Sequence, residues 1–297
     1  MVINFLRYIK LTCSNFLEYI FLYYCSKSRL SRIDKKKINL ILKNAKNNNI
    51  WNIWSVAILN KILKFGFDNF LRFSEIKNTM FFNDEKQFNF YCKKINILSY
   101  KNILKENTFG NPVLSNKFGF TSINKVHQFY HLYLFNFLTK KKYAKNIIEI
   151  GGGYGLLASL SANFLDIKRH YIIDLPSFNF IQKKYLNNIN CKKVKKIKII
   201  SYNTKIKKIR NYNFLAFWSI SEIEDNEYIK KYSKLINNSE FFLIGYQSKF
   251  YNINNKNLKK RFSISDNFSI KKIKINNLRN NYYLFGKNLK KFEINCS

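Results

Sequence analysis

The stretch "NIIEIGGGYGLLASL", residues 146–160, places four glycines within five positions of a 297-residue chain that has only nine glycines. "NIIEI" is a short apolar run typical of a buried strand, and "GLLASLSANFL" favours a helix. A glycine-rich turn between a strand and a helix lets a ligand approach the backbone, and the helix start offers amide donors. We therefore predict a ligand-binding loop made by Gly151, Gly153 and Gly155.

Two carboxylates flank this loop in the sequence. The next predicted strand, "RHYIID", ends in Asp174, where a carboxylate can accept both ribose hydroxyls of a nucleoside. Glu149 lies two residues before the first glycine, in the spacing E-x-G-x-G-x-G rather than the dinucleotide pattern G-x-G-x-x-G. A carboxylate at this position would repel a pyrophosphate but could hold a cationic amino group. The pattern predicts S-adenosylmethionine as the cofactor rather than NAD.

The remaining sequence predicts an α/β fold. From residue 146 onward, apolar strands alternate with helical stretches of about ten residues, which indicates right-handed crossovers and a parallel sheet. The last two strands, in "RFSISDNFSIKKIKIN" and "NNYYLFGKN", have no helix between them and predict an antiparallel edge. Apolar positions at helical spacing dominate the first 105 residues. We predict a helical N-terminal cap, residues 1–125, and a Rossmann-like domain, residues 126–297, with the active site between them.

Four segments of the chain resemble one family. They are "ENTFGNP" (106–112), the glycine loop, "DLP" (174–176) and "SISE" (219–222), and "GFDNFLRF" (66–73) adds a further likeness. Together they are similar to the class I methyltransferase core and, more narrowly, to bacterial sugar O-methyltransferases, over residues 50–240. The last segment departs from the family pattern at Ser221 and Ile223. Both prolines of the chain, Pro112 and Pro176, fall in these segments.

Further candidate residues follow the third and fourth strands, and the resemblance covers the two that follow the fourth. Ser219 is expected to contact the cofactor, and Glu222 is the expected base that removes a hydroxyl proton during methyl transfer. Glu222 has an alternative role as an acid at the start of a helix, where the macrodipole stabilises carboxylates. Asn203 is a candidate for contacting the adenine amine, with an ordinary turn asparagine as the favoured alternative.

Two histidines, His127 and His131, are four residues apart on a predicted helix. This spacing suits a metal pair, or a base (His131) with an orienting or substrate-binding group (His127). No third-ligand pattern accompanies them, so no metal is predicted, and a packed histidine pair is the alternative.

The "ENTFGNP" loop offers two amides of the kind that bind sugars, on Asn107 and Asn111. We predict a substrate or cofactor lid there, and the alternative is a structural linker between the two domains.

The charge balance is strongly basic, with 53 Lys and Arg against 17 Asp and Glu, a formal net charge of +36. Such a surface attracts phosphate, anionic lipid or nucleic acid. The basic residues are dispersed and carry no RNA-recognition or zinc-finger pattern, so nucleic acid is a disfavoured partner. Five cysteines without a CxxC pair are typical of a reducing cytoplasm.

The apolar N-terminus carries Arg7, Lys10 and Glu18, which interrupt the uncharged run that a membrane-spanning helix needs. We expect a helix docked on the protein or, as the alternative, an interfacial helix whose basic residues Lys27, Arg29 and Arg32 contact anionic lipid at the inner membrane face.

Taken together, these patterns predict a cytoplasmic O-methyltransferase that uses S-adenosylmethionine. Its expected acceptor is a sugar hydroxyl of a surface polysaccharide or of a nucleotide- or lipid-linked precursor. RNA methylation is one alternative, disfavoured at base amines because "FWSISE" replaces the [DN]PP[YF] signature at the end of strand four. A non-catalytic, membrane-associated scaffold of the same fold is the other.

Overall fold

The computed structural model describes residues 17–25, 30–45, 50–82, 84–189, 193–204 and 209–293. The helices that precede the sheet are α1 (residues 17–25), α2 (Arg32–Lys43), α3 (Ile50–Phe65), α4 (Ser74–Met80), α5 (Glu85–Lys94), α6 (Lys101–Leu104) and α7 (Ile123–Leu138). These elements confirm the predicted helical N-terminal part. Within the described ranges, no helix combines the length and apolarity needed to cross a bilayer.

A seven-stranded sheet follows, and it confirms the predicted Rossmann-like fold. Its strands are β1 (Asn146–Ile150), β2 (Arg169–Asp174), β3 (Ile197–Ser201), β4 (Tyr212–Phe217), β5 (Phe241–Gln247), β8 (Phe268–Lys274) and β9 (Asn281–Asn288). The order is β3-β2-β1-β4-β5-β9-β8, with β1 to β5 parallel. The antiparallel pairing of β9 with β5 and β8 forms the expected edge.

The order reverses between β1 and β4, and this switch point is where doubly wound sheets bind ligands. Ile150 pairs with Ile173 on one side and with Ala216 on the other, so β1, β2 and β4 end side by side. The loops that follow these three strands therefore meet at one edge of the sheet.

The strands form where they do because apolar residues are buried on both faces of the sheet. The side chains of Ile148, Phe214 and Phe242, on neighbouring strands, are fully buried in one core cluster, and two residues of the helix Asn226–Asn237, Tyr232 and Ile236, pack into it. The helices of this part are α8 (Leu156–Phe164), α9 (Pro176–Asn188), α10 (Asn226–Asn237), α11 (Leu258–Arg261) and α12 (Lys290–Glu293). A short hairpin of β6 (Lys249–Phe250) and β7 (Ile253–Asn254) was not predicted from the sequence.

The chain divides into two compact units. The first contains Met1–Asn83, Lys105–Asn124 and Asn187–Asn190, and the second contains Asp84–Leu104, Lys125–Leu186 and Cys191–Ser297. This division differs from the single predicted boundary after residue 125, because α5 and α6 group with the sheet. In that second unit the Tyr91 hydroxyl lies 3.0 Å from His127 Nδ1, and the ring centroids of Tyr91 and Tyr130 are 4.3 Å apart.

Candidate active site

The glycine loop joins β1 to α8 through left-handed backbone. Gly151, Gly153 and Gly155 have φ angles of 73°, 56° and 96°. A Cβ added to Gly151 would lie 2.3 Å from the Cβ of Ser219, so this position combines a left-handed φ with no room for a side chain. Gly155 is the N-cap residue of α8 and has no side chain to cap it. The first amides of α8 are therefore suited to donate hydrogen bonds to a ligand's polar atoms.

The turn after β4 packs directly on this loop. The Ser219 hydroxyl donates to the Ile150 carbonyl at 2.5 Å, so Ser219 fastens the start of the glycine loop. Trp218 adopts a φ of 63°, which is unusual for a bulky residue, and its amide donates to the Gly245 carbonyl at 2.6 Å. This strained backbone places Ser219 against Gly151, a connection that the sequence alone did not show.

Glu149 is buried and lies next to the backbone of the loop. Its Oε2 is 2.8 Å from His170 Nε2, and the other ring nitrogen of His170 is 2.6 Å from the Ser161 hydroxyl. A Cβ placed on Gly152 would lie 3.5 Å from the Glu149 carboxyl carbon. His170 therefore orients the carboxylate that we predict to contact the cofactor.

Asp174 ends β2 and is held by two donors. Its Oδ1 accepts from the Leu175 amide at 2.8 Å, and its Oδ2 accepts from Gln182 Nε2 at 2.7 Å. The same Gln182 nitrogen donates to the Gly153 carbonyl at 3.0 Å, so Gln182 links the carboxylate to the loop. Burial raises the pKa of the Asp174 carboxyl to about 7, with the charge of Glu149 adding to the rise and both hydrogen bonds opposing it.

Glu222 lies in a short 3-10 helix, Ser219–Glu222, and outside α10. Helix α10 begins later, at Asn226, and its N-cap is Asp225, whose side chain accepts from the Glu227 amide at 2.7 Å. The acid that caps the start of α10 is therefore Asp225 and not Glu222. Glu222 is half-buried and accepts from Gln247 Nε2 at 3.3 Å.

His127 and His131 are both fully buried on α7, and their ring centroids are 4.5 Å apart. His131 Nδ1 lies 2.9 Å from the Tyr283 hydroxyl, and its ring stacks on Phe217 at 4.1 Å. Its Nε2 has no hydrogen-bond partner among the described residues. Burial lowers the pKa of His127 to about 3, and burial followed by the effect of His127 lowers the pKa of His131 well below its usual value. Both imidazoles are therefore neutral at pH 7.

No cluster of three or more His, Cys, Asp or Glu side chains suited to a metal occurs in the part of the chain that the structure describes.

Asn203 is exposed in the turn after β3, where its Oδ1 lies 3.4 Å from the Tyr228 hydroxyl. Tyr202, the preceding residue, is the one whose amide donates to the Asp174 carbonyl, at 2.9 Å. An adenine contact by Asn203 stays a prediction.

The "ENTFGNP" loop belongs to the first unit, and the side chains of both of its asparagines make local hydrogen bonds. Asn107 Oδ1 accepts from the Phe109 amide at 2.9 Å. The Asn111 amide donates to Asn69 Oδ1 at 2.7 Å and its oxygen accepts from Arg72 at 3.2 Å. Two motifs of the family resemblance, "GFDNFLRF" and "ENTFGNP", are thus one interlocked structure. These local hydrogen bonds give both asparagines a structural role without a substrate. Substrate binding by Asn107 and Asn111 stays a prediction.

The similarity of this chain to known proteins is a similarity of fold. No family model and no curated protein matches the sequence. Among solved structures, the methyltransferase domain of bacterial CtHen1 shares 14% identity at a TM-score of 0.41, covering 54% of this chain and 98% of that one. Magnesium protoporphyrin IX methyltransferase from Synechocystis PCC 6803, with bound SAM, shares 12% identity at a TM-score of 0.44, covering 70% and 98%. M. capricolum TrmK, with S-adenosyl-homocysteine, shares 20% identity at a TM-score of 0.37, covering 52% and 68%. These identities and scores are too low to bear on the substrate.

The packing of Gly151 can be tested against a glycine of similar backbone conformation. Gly119 has a φ of 56°, but nothing lies within 4 Å of a Cβ added there. We expect Gly119→Ala to lower the free energy of unfolding by about 1–2 kcal/mol, the cost of a left-handed alanine. Gly151→Ala should cost roughly 1–3 kcal/mol more, because its methyl group overlaps Ser219. Urea denaturation measures both, and equal losses would contradict the close packing.

Proposed function

We propose that this protein is an S-adenosylmethionine-dependent methyltransferase. The observation that carries the proposal is the edge of the sheet where β1, β2 and β4 end. There a left-handed glycine loop lies between two buried carboxylates, Glu149 and Asp174. Both carboxylates are held by other side chains, His170 and Gln182, so they are fixed in place before any ligand binds.

The residues fit this cofactor better than a dinucleotide. Asp174 lies at the tip of the strand next to the loop, and we propose that it accepts the ribose hydroxyls. Glu149, buried next to the loop backbone, adds a negative charge where a pyrophosphate would need positive or neutral groups. A cationic amino or sulfonium group is favoured by the same charge. When bound, S-adenosylmethionine supplies an electrophilic methyl group.

The pKa of Asp174 gives the proposal a pH dependence. Only the ionised carboxylate can accept from both hydroxyls of a ribose, and its pKa of about 7 leaves it largely protonated below neutral pH. The affinity for S-adenosylmethionine should therefore be highest above the pKa of Asp174 and should fall as the pH drops through that pKa. We expect the dissociation constant to rise about tenfold from about pH 8 to about pH 6. An Asp174→Asn variant, measured by the same calorimetric titration, should bind weakly and without this pH dependence.

For the transfer step, we propose that Glu222 removes the proton of the acceptor hydroxyl. It follows Ser219, which touches the glycine loop, and it is partly exposed, so an acceptor can reach it. His131 is the second candidate, since it is neutral and its Nε2 is without a partner among the described residues. However, His131 is completely buried, and a base must come within hydrogen-bond distance of the acceptor. Glu222 is therefore the better candidate for the base.

The proposed acceptor is a sugar hydroxyl, supported by the motif resemblance and by the carboxylate base. The experiment is transfer of a tritiated methyl group from S-adenosylmethionine to a panel of acceptors. The panel holds nucleotide-linked sugars, lipid-linked sugars, surface polysaccharide and transfer RNA, the last because a net charge of +36 favours polyanions. Label in a sugar fraction supports the proposal. Label in the RNA alone would show that the acceptor is RNA and not a sugar. Binding of S-adenosylmethionine without transfer to any acceptor would favour the non-catalytic scaffold.

A further inference from the structure

Helix α1 is attached to the first unit by its polar side. Glu18 is the one charged residue between positions 17 and 25, and it points inward: Lys61 Nζ and the Ser74 amide donate to its Oε1 at 2.8 and 3.0 Å. Leu22, one turn later, is fully buried. A cavity of about 300 Å³ remains beside these contacts, lined by Tyr19, Leu22, Lys61, Phe65, Ser74 and Glu75.

The opposite side of α1 is apolar and faces outward. Leu17, Ile20, Phe21 and Tyr24 follow the i, i+3, i+4, i+7 spacing of one helix face, and they are 65%, 37%, 36% and 77% exposed. A helix on the surface of a water-soluble domain normally has the reverse arrangement, with its charged side in water. Nine of the fifteen exposed large hydrophobic side chains of the described residues lie between Leu17 and Ile53. Such a concentration marks an interaction surface.

Helix α2 adds positive charge to the same part of the chain. Ile33 and Leu40 are 67% and 60% exposed, and Lys36 and Lys37 share their face at helical spacing. The single acid of α2, Asp34, is buried and accepts from the Ser31 hydroxyl at 2.8 Å. Lys27 and Arg29, two of the basic residues predicted to meet lipid, lie outside the described residues. Exposed aliphatic and tyrosine side chains beside uncompensated lysines match the chemistry of an anionic bilayer surface.

We propose that α1 and α2 bind the surface of an anionic membrane. The outward side chains of α1 enter the headgroup region, and the lysines of α2 contact lipid phosphates. The helices lie on the bilayer without crossing it, as expected for short amphipathic helices. Charge complementarity favours this partner over a second copy, because two copies with a net charge of +36 each repel one another.

The test is sedimentation of the full chain with vesicles of phosphatidylcholine and phosphatidylglycerol, compared with pure phosphatidylcholine. We expect binding to the anionic vesicles only. The double variant Ile20→Ser/Tyr24→Ser and the triple variant Lys35→Gln/Lys36→Gln/Lys37→Gln should each lower the partition coefficient roughly tenfold or more. All five side chains are exposed, so folding should be retained, and circular dichroism checks it.

Matched controls separate this surface from the overall charge. Leu98→Ser/Phe137→Ser removes two apolar side chains that are 66% and 71% exposed, and Lys140→Gln/Lys141→Gln/Lys142→Gln removes three exposed lysines. Both should bind vesicles like the wild type. Equal losses in variants and controls would overturn the proposal, as would a lack of binding to anionic vesicles. A lipid-free dimer that only Ile20→Ser/Tyr24→Ser converts to a monomer would assign the surface to a second copy.

Discussion

Replacing Glu222 by glutamine is expected to lower kcat by roughly 100- to 10,000-fold, the usual contribution of a general base. The amide keeps the size of the side chain and its position in the Ser219–Glu222 turn, but it cannot accept a proton. Affinity for S-adenosylmethionine should stay unchanged, because Glu222 is not among the residues proposed to hold the cofactor. The measurement is the rate of tritiated methyl transfer to the acceptor found in the panel, at saturating cofactor.

Glu224 provides the matched control, since it is an exposed acid two residues further along. Glu224→Gln should keep most of the activity. If Glu222→Gln and Glu224→Gln are equally active, the assignment of the base is wrong. A large loss in His131→Gln, together with an active Glu222→Gln, would move the base to His131.

Asp174→Ala is expected to weaken S-adenosylmethionine binding by roughly 100-fold. The carboxylate is proposed to accept two hydrogen bonds from the ribose, and hydrogen bonds to charged groups contribute about 1.5–3 kcal/mol each. The total of about 3 kcal/mol or more corresponds to about two orders of magnitude in the dissociation constant. Isothermal calorimetry of the folded variant measures this loss.

Asp166→Ala removes an aspartate of the same unit that is exposed and paired with Lys145. Its affinity should equal that of the wild type, because exposed ion pairs contribute little and Asp166 is not part of the proposed site. An Asp174→Ala variant that binds as tightly as Asp166→Ala would show that the carboxylate does not contact the cofactor.

Most of the parallel strands could be predicted because they are buried on both faces and are therefore written as apolar runs. "NIIEI" is an example, since β1 has the predicted bounds, Asn146–Ile150, and is buried from Ile147 onward. The β6–β7 hairpin could not be predicted, because its residues, Lys249–Phe250 and Ile253–Asn254, are too few to show alternation. The grouping of α5 with the sheet was not predicted; in the structure the Tyr91 hydroxyl of α5 lies 3.0 Å from His127 Nδ1 of α7.

In the candidate site, the residues in local motifs were predicted and the residues that support them were not. Gln182 contacts Asp174 from eight positions further along the chain, whereas Tyr283 contacts a histidine 152 positions away. His170 could have been linked to Glu149 in advance. In parallel strands, Ile147 pairs with His170, so Glu149 and His170 lie on the same face of the sheet. The role of Trp218 depends on a positive φ, which no sequence pattern indicates.

The central claim is that the loop between Glu149 and Asp174 holds S-adenosylmethionine. Calorimetric titration of the full chain above neutral pH, first with S-adenosylmethionine and then with NAD, tests it most directly. We predict saturable one-to-one binding of S-adenosylmethionine and no binding of NAD. A folded protein that binds NAD instead, or that binds neither compound, would contradict the claim.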